Sequence, residues 1–269
     1  MKKSFLLFIL LISTSLFAQD TKYKKIYYKD QSIENMDVMI TVTDAIAVPG
    51  GLKFRLTITN KSTDYILFKP GECEFQTKGA SQKPVEKPFM IKPKDKDAIV
   101  LDMKIAQNMI TDDFHFVMSG IYRVSLTGTV INSQDFILPA KEGTEFKAGD
   151  FSLSLDKTKK ETASSWAKFK VAYNGNHIGV IQPTKISMRM PDGKEYGNYN
   201  RDKPIFLEKG KNDDFTPGWK DVPGSSGDMQ KVQMNIEFHD AFREIIPVQI
   251  PLLELVVQFD KEASDAKGK

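Results

Sequence analysis

The sequence predicts an all-β protein built as two tandem antiparallel β-sandwich domains behind a cleaved signal peptide. Three observations carry that expectation. The first twenty residues, MKKSFLLFILLISTSLFAQD, have two lysines, a short apolar run and a small-residue approach to Ala18, which is the layout of a secretory signal. Downstream, apolar residues recur with period two rather than 3.6. The stretch Asp37 to Gly79 is also loosely echoed by Asp150 to Gly193. Each copy is too long for a solenoid repeat and suits a small β domain.

Taken in order, residues 1–18 read as the signal peptide. The apolar run from Phe5 to Ile12 is interrupted at Ser13, Thr14 and Ser15, short of the roughly 18 apolar residues a membrane span needs. Residues 19–35 form a lead-in segment with at most one edge strand at KKIYYKD. Residues 36–139 form the first domain: Val38, Ile40 and Val42 alternate with polar neighbours, as do Phe54, Leu56 and Ile58, and later Tyr122, Val124 and Leu126. VPGG (48–51), NKSTD (60–64) and KPGE (69–72) punctuate these runs at sandwich spacing. MKIAQNMITDDF (103–114) is the one candidate helix. Residues 140–149, polar and glycine-containing, read as a linker. Residues 150–260 form the second domain, in which Phe151, Leu153 and Leu155 stand for Val38, Ile40 and Val42, and Phe169, Val171 and Tyr173 for Phe54, Leu56 and Ile58. Pro183 then answers Pro70, and KPIFLE (203–208) answers KPFMIK (87–92). The charged tail, 261–269, is expected to be disordered.

Charge and cysteine content exclude several classes. Of 38 Lys and Arg against 35 Asp and Glu, two lysines leave with the signal. The near-neutral remainder has no basic stripe for nucleic acid. IIPVQIPLLELVVQF reads as two short strands joined at a proline rather than a membrane span, so no transmembrane segment is expected in the mature chain. Gln19, not cysteine, follows Ala18, which argues against lipid anchoring. Cys73 stands alone and is expected to be a small buried residue of the strand ECEFQ, although an intermolecular disulfide or a reactive thiol is the alternative.

The catalytic and metal motifs are sparse. His115, His177 and His239 are far apart and show no HExxH or CxxC pairing. The SxxK matches, Ser154 with Lys157 and Ser165 with Lys168, lie in strand patterns, where a spacing of three sends side chains to opposite faces. GSSG (224–227) is not a GxSxG elbow. The NDDF stretch (212–215) is the best acidic candidate for calcium but lacks a glycine-centred loop. Met188 and Met190 alternate with polar residues as core methionines do. Hence no catalytic residue, no metal ligand and no cofactor is assigned.

Aromatic residues near polar loops are the remaining candidates. Trp219 lies in FTPGWKDVPGSSGD, and Tyr196 and Tyr199 in EYGNYN; loops at a sandwich end are where binding surfaces are built. The alternative for Trp219 is a plug for the open end of the domain. The Asn-centred turns TNKSTDY and YNGNHIG, each followed by a proline and an apolar strand, with a later Gly turn in GKEY, resemble small exported immunoglobulin-like domains of uncharacterised function. The resemblance implies immunoglobulin-like sandwiches and brings no catalytic residues; the Cys, Trp and Cys framework of antibody domains is absent. The expected function is that of a non-enzymatic protein-protein interaction or scaffold module, exported to the periplasm or secreted by a Gram-negative bacterium. Its expected partner is another envelope or secreted protein, not nucleic acid. A glycan-binding module using loops of the second domain is the alternative, and a hydrolase on a β-sandwich comes third.

Overall fold

A computed structural model describes residues 23–77, 80–104, 113–161, 164–220 and 232–269. The expected signal peptide lies outside these residues, as do most of the candidate helix at 103–114 and the GSSG stretch. The regular structure of the described residues is almost all antiparallel strand, as the period-two alternation predicts. It divides into two compact units, but not at the expected linker. The first unit ends at Ile121 and resumes over Ile250–Lys269; the second is Tyr122–Gln249.

The first unit opens with β1 (Ile26–Tyr27), β2 (Gln31–Glu34), β3 (Val38–Val48) and β4 (Gly51–Asn60). Next come β5 (Tyr65–Phe68), a 3-10 turn at Pro70–Glu72, β6 (Glu74–Thr77), β7 (Ala80–Gln82) and β8 (Phe89–Ile91). β9 (Lys96–Lys104), β10 (Phe114–Met118) and β11 (Ile121–Val124) follow, the last straddling the boundary. One sheet has the order β1-β3-β4-β9 with β2 also on β3. Strands β10, β6 and β7 belong to a second sheet, and β11, β5 and β8 to a third. Phe54 of the first sheet packs against Phe114 and Phe116 of the second at ring separations of 5.7 and 5.5 Å, which is the sheet-on-sheet core of a sandwich.

The second unit repeats this succession. It contains β12 (Thr129–Ile131), β13 (Phe136–Leu138), β14 (Glu145–Ala148), β15 (Phe151–Lys160) and β16 (Ser164–Tyr173). After β17 (Ile178–Ile181), a second 3-10 turn at Pro183–Lys185 leads to β18 (Ser187–Arg189), β19 (Glu195–Gly197) and β20 (Ile205–Leu207). β21 (Lys211–Phe215), β22 (Gly218–Lys220), β23 (Met234–Glu237), β24 (Phe242–Ile245) and β25 (Val248–Gln249) complete it. Its sheets run β14-β15-β16-β21 with β22 on β16, β13-β23-β18-β19, and β12-β24-β17-β20. Phe169 sits at the centre of its core, 5.3 to 5.8 Å from the rings of Phe136, Phe146, Phe215 and Phe238.

Register corrects the sequence pairing in two places. Leu153 pairs with Val171 and Leu155 with Phe169, whereas Ile40 pairs with Ile58 and Val42 with Leu56. Phe169 therefore stands where Leu56 does, two residues along from the expected Phe54. A shift of two leaves every side chain on its own face, so alternation cannot detect it. Second, the expected linker at 140–149 contains β14. Phe146 pairs with Leu153 as Ile33 pairs with Ile40, so this segment is the counterpart of β2 within the lead-in.

The chain ends with β26 (Leu253–Val257) and α1 (Lys261–Lys267), both in the first unit. β26 pairs with β10 over five residues, Phe114↔Val257 through Met118↔Leu253, and buries Leu253, Leu255 and Val257 in the first core. The segment expected to close the second domain, 250–260, thus closes the first. The tail expected to be disordered is a capped helix: the Asp260 carboxylate accepts from the Ala263 N–H at 2.9 Å. Lead-in and tail bind each other, with the Tyr23 hydroxyl donating to Asp265 at 2.9 Å and the Tyr27 N–H to the buried Ser264 hydroxyl at 2.9 Å. Charged tails read as disordered because composition hides a docking surface supplied from elsewhere in the chain.

Candidate functional site

Trp219, on β22, has no exposed surface, and Ser165 pairs with it across β16. Its ring offers no face to a ligand: it fills the second core, the plug reading. Tyr196 is half-buried against the same core on β19. Tyr199 is 43% exposed, but the Lys220 ammonium covers one ring face at 4.4 Å from the centroid. The three candidates therefore do not form a shared aromatic platform.

The open surface lies beside them, on the outer face of the second unit's five-stranded sheet. Three concavities of about 340, 510 and 480 Å³ follow one another from β14 to beyond β21. The first two share Ser152 and Ser154; the second and third share Asp213 and Asp214. They make one polar trough crossing four strands, or roughly 14 Å at the spacing of neighbouring strands. Small residues form its floor because Ser152, Ser154 and Ala172 alternate outward while Leu153, Val171 and Tyr173 point into the core. Lys147, Lys170 and Glu145 rise around the first part, and Asp202, Lys203 and Asn200 around the last. Lys170 holds the Asp156 carboxyl below its usual range from 2.7 Å, and Lys168 lies 3.0 Å from Asp214. Sequence reading found Asp213 and Asp214 but not the trough, since outward residues of separate strands become neighbours only through register.

The densest polar cluster is elsewhere in this unit, on the outer face of β18, β19 and β23. His239 Nε2 lies 2.8 Å from Ser187 Oγ, 2.7 Å from Glu195 Oε1 and 3.6 Å from Glu237 Oε2. Arg189 donates to both oxygens of Glu237 and, at 3.0 Å, to Glu195. His239 is held at φ 41°, a left-handed conformation that costs a non-glycine residue energy. The Ser187 hydroxyl, His239 and Arg189 hold the Glu195 carboxyl below its usual range.

Serine, histidine and glutamate in contact suggest a triad, but the geometry is different. A relay needs hydroxyl and carboxylate on opposite ring nitrogens, and here both meet Nε2. The ligand atoms of Glu195, Glu237 and His239 lie within 4.8 Å of one another and could close on a divalent ion. Arg189, however, already neutralises the two carboxylates from within the chain. The chemistry displayed is that of a self-compensated ion-pair network. No short-range motif could announce it, because its members are distributed over residues 187 to 239.

The remaining candidates fall into place individually. His115 binds Glu254 across β10 and β26, and His177 is exposed, so the three histidines form no joint site. Ser165 is buried and donates to the Lys159 carbonyl at 3.1 Å. Met188 and Met190 are core residues. Cys73 is buried and its thiol is pushed up to about 11 by desolvation, with Glu72 adding to the rise. Among the described residues no helix is long and apolar enough to cross a membrane.

No family model matches the chain, and no curated protein matches it. Among solved structures, a β-porphyranase of glycoside hydrolase family 86 from the human gut bacterium Bacteroides plebeius is 10% identical with a TM-score of 0.17, the match covering 86% of this chain and 39% of the porphyranase. AerE from Microcystis aeruginosa is 11% identical with a TM-score of 0.12, over 86% of this chain and 98% of AerE. Likenesses at this level carry no argument about fold or activity.

Proposed function

We propose that this chain is an exported, non-enzymatic binding protein of two immunoglobulin-like sandwiches, and that its partner is another envelope or secreted protein held on the polar trough of the second unit. The observation carrying the proposal is the continuity of that trough through Ser152, Ser154, Asp213 and Asp214. A small-residue floor lets another surface approach the sheet closely, and walls of both charge signs favour specific ion pairs and hydrogen bonds over apolar burial. The signal-like N-terminus supports export. The two aromatic rings in the lining, Phe146 and Phe215, are buried, which disfavours ligands that bind by stacking.

The test is a steric block at half-buried, outward-facing floor positions. Ala172→Trp and Ser154→Trp should each abolish crosslinking to the partner in the native envelope while leaving far-UV circular dichroism unchanged. Undiminished crosslinking in both variants would remove the trough from the proposal. A glycan ligand is the second reading, favoured by the exposed face of Tyr199 next to Asn200 at the trough's end. Because Trp219 is buried, the discriminating measurement is polysaccharide retention by Tyr199→Ala against the parent protein. Equal retention counts against a glycan site there.

A further inference from the structure

Apart from β1, which the second unit lacks, and β9, which is divided there into β21 and β22, the two units share their strand pairings but differ in where their last strands come from. In the first unit β10 takes β26 as its outer neighbour, with Leu255 opposite Phe116. In the second, β23 takes β13, with Phe136 opposite Ile236. The preceding strands agree: the Ile250 N–H donates to the Ile121 carbonyl at 2.9 Å, and Ile131 pairs with Phe242. Ile131 and Phe136 thus correspond to Ile250 and Leu255 at one constant offset of 119 residues. Were each unit closed by the strands that follow its own β11 or β24, β13 would lie on β10 and β26 on β23. The structure has the opposite arrangement, so the two units have exchanged their closing strands.

One half of the exchange follows from what the chain does after β24. Pro247 and Pro251 flank β25; a proline locks φ and removes a ladder N–H, so this stretch runs on extended rather than turning back as a hairpin. What β10 recognises in its incoming neighbour is a backbone ladder, inward residues at alternate positions, Leu253, Leu255 and Val257, and the outward contact of His115 with Glu254. The tail helix then fastens the segment through Asp265 to Tyr23 and Ser264 to Tyr27. None of these contacts depends on which chain the segment belongs to.

From this we infer that the first unit is a strand acceptor, and that residues 250–269 of a second copy of this chain take the same place, giving a reciprocally exchanged dimer. This goes beyond the proposed function, since it concerns self-association at a different unit. The tethered segment competes at an effective concentration that for flexible links is of millimolar order. Exchange should therefore be set during folding and rise about in proportion to protein concentration below that value.

The experiment uses the full chain with Val117→Cys and Glu254→Cys, which are opposite each other across β10 and β26. The control has Gln76→Cys and His115→Cys, opposite each other across β6 and β10. Each protein is unfolded and refolded under reducing conditions at micromolar and at several hundred micromolar concentration, diluted, and then oxidised. The expected result is an intrachain disulfide in the control throughout, and a fraction of covalent dimer in the Val117/Glu254 pair that grows about tenfold for a tenfold rise in refolding concentration. Intrachain closure of the Val117/Glu254 pair at every concentration would overturn the inference. So would failure of that pair to close while the control closes.

Discussion

Asn60 closes the turn after β4, and replacing it should loosen the first unit by about 3 kcal/mol, counting about 1 kcal/mol for each well-formed hydrogen bond to a buried group. The residue is 1% exposed. Its amide donates to the carbonyls of Asp64 at 2.7 Å, Lys92 at 2.9 Å and Ile91 at 3.3 Å. Its oxygen accepts from the N–H and hydroxyl of Ser62 at 2.9 and 2.7 Å. Asn60→Ala strands the Lys92 and Ile91 carbonyls and leaves the turn without its centre. Ser62→Ala removes the hydroxyl's contacts with the Asn60 oxygen and with the Asp64 backbone but keeps the Ser62 N–H donation, and should cost about 1 kcal/mol. Asn60→Asp keeps the Ser62 contacts but turns acceptors toward three carbonyls, so it should cost at least as much as alanine. Both tryptophans, Trp166 and Trp219, belong to the second unit, so their fluorescence reports on the wrong place. Amide hydrogen exchange over β4, β8 and β9 is the suitable measurement. Exchange there should accelerate about a hundredfold in Asn60→Ala, a factor of ten corresponding to about 1.4 kcal/mol. Equal effects of Asn60→Ala and Ser62→Ala would refute the reasoning, because the donations to strand β8 and its turn would then contribute nothing.

Other outcomes follow from the same geometry. Cys73, with its thiol at about 11 against an ordinary 9.0, should resist alkylation at pH 8 in the native protein and react at once in denaturant. Its sign is that of a raised acid: the contribution to stability is complete below pH 9 and is lost as pH climbs through about 11, which a series of alkaline unfolding curves comparing Cys73→Ala would show. Glu195 titrates below its usual range, so the stabilisation it brings is present above the normal glutamate range and is lost as pH falls through the depressed value. Ser187→Ala should move its carboxyl resonance back toward the ordinary midpoint in an NMR titration. A methyl at Gly120 would stand 2.1 Å from the Lys69 carbonyl oxygen, so Gly120→Ala should cost several kcal/mol, in the range of overpacked sites, read as a lower melting temperature. At the sheet edges, Asp97 and Asp213 accept the N–H of the following residue at 2.7 and 2.8 Å. Replacing both with alanine should expose edge donors and raise self-association in sedimentation velocity, since unpaired edges template further strands.

The strands themselves were legible because burial of one sheet face imposes alternation on every run, and Val38 to Val42 or Phe151 to Leu155 shows it without help. The matched prolines were legible for a similar reason: Pro70 and Pro183 each open a 3-10 turn at the same place in their units. Phe169 shows the limit, since a register displaced by two residues satisfies the same alternation. The polar sites were less legible still. Trp219 has the composition of a contact residue and the position of a core residue, and only the pairing of β22 with β16 distinguishes them. Ser187 and Arg189, Glu195, and Glu237 with His239 come from three separate places in the sequence and meet because three strands align.

The amino-acid sequence by itself determined that this protein is made of antiparallel sheet and that its pattern occurs twice. Those are local properties, set by side-chain alternation and turn chemistry within a few residues. Tertiary structure alone decided which strands close which unit, that the tail folds as a helix on the lead-in, and that small residues of β15 and β16 floor a trough. The physical reason is that a strand satisfies its backbone and its apolar face equally well beside any partner of matching pattern. Pro247 and Pro251 keep the path after β24 extended, and β26 returns to β10 while β13 pairs with β23.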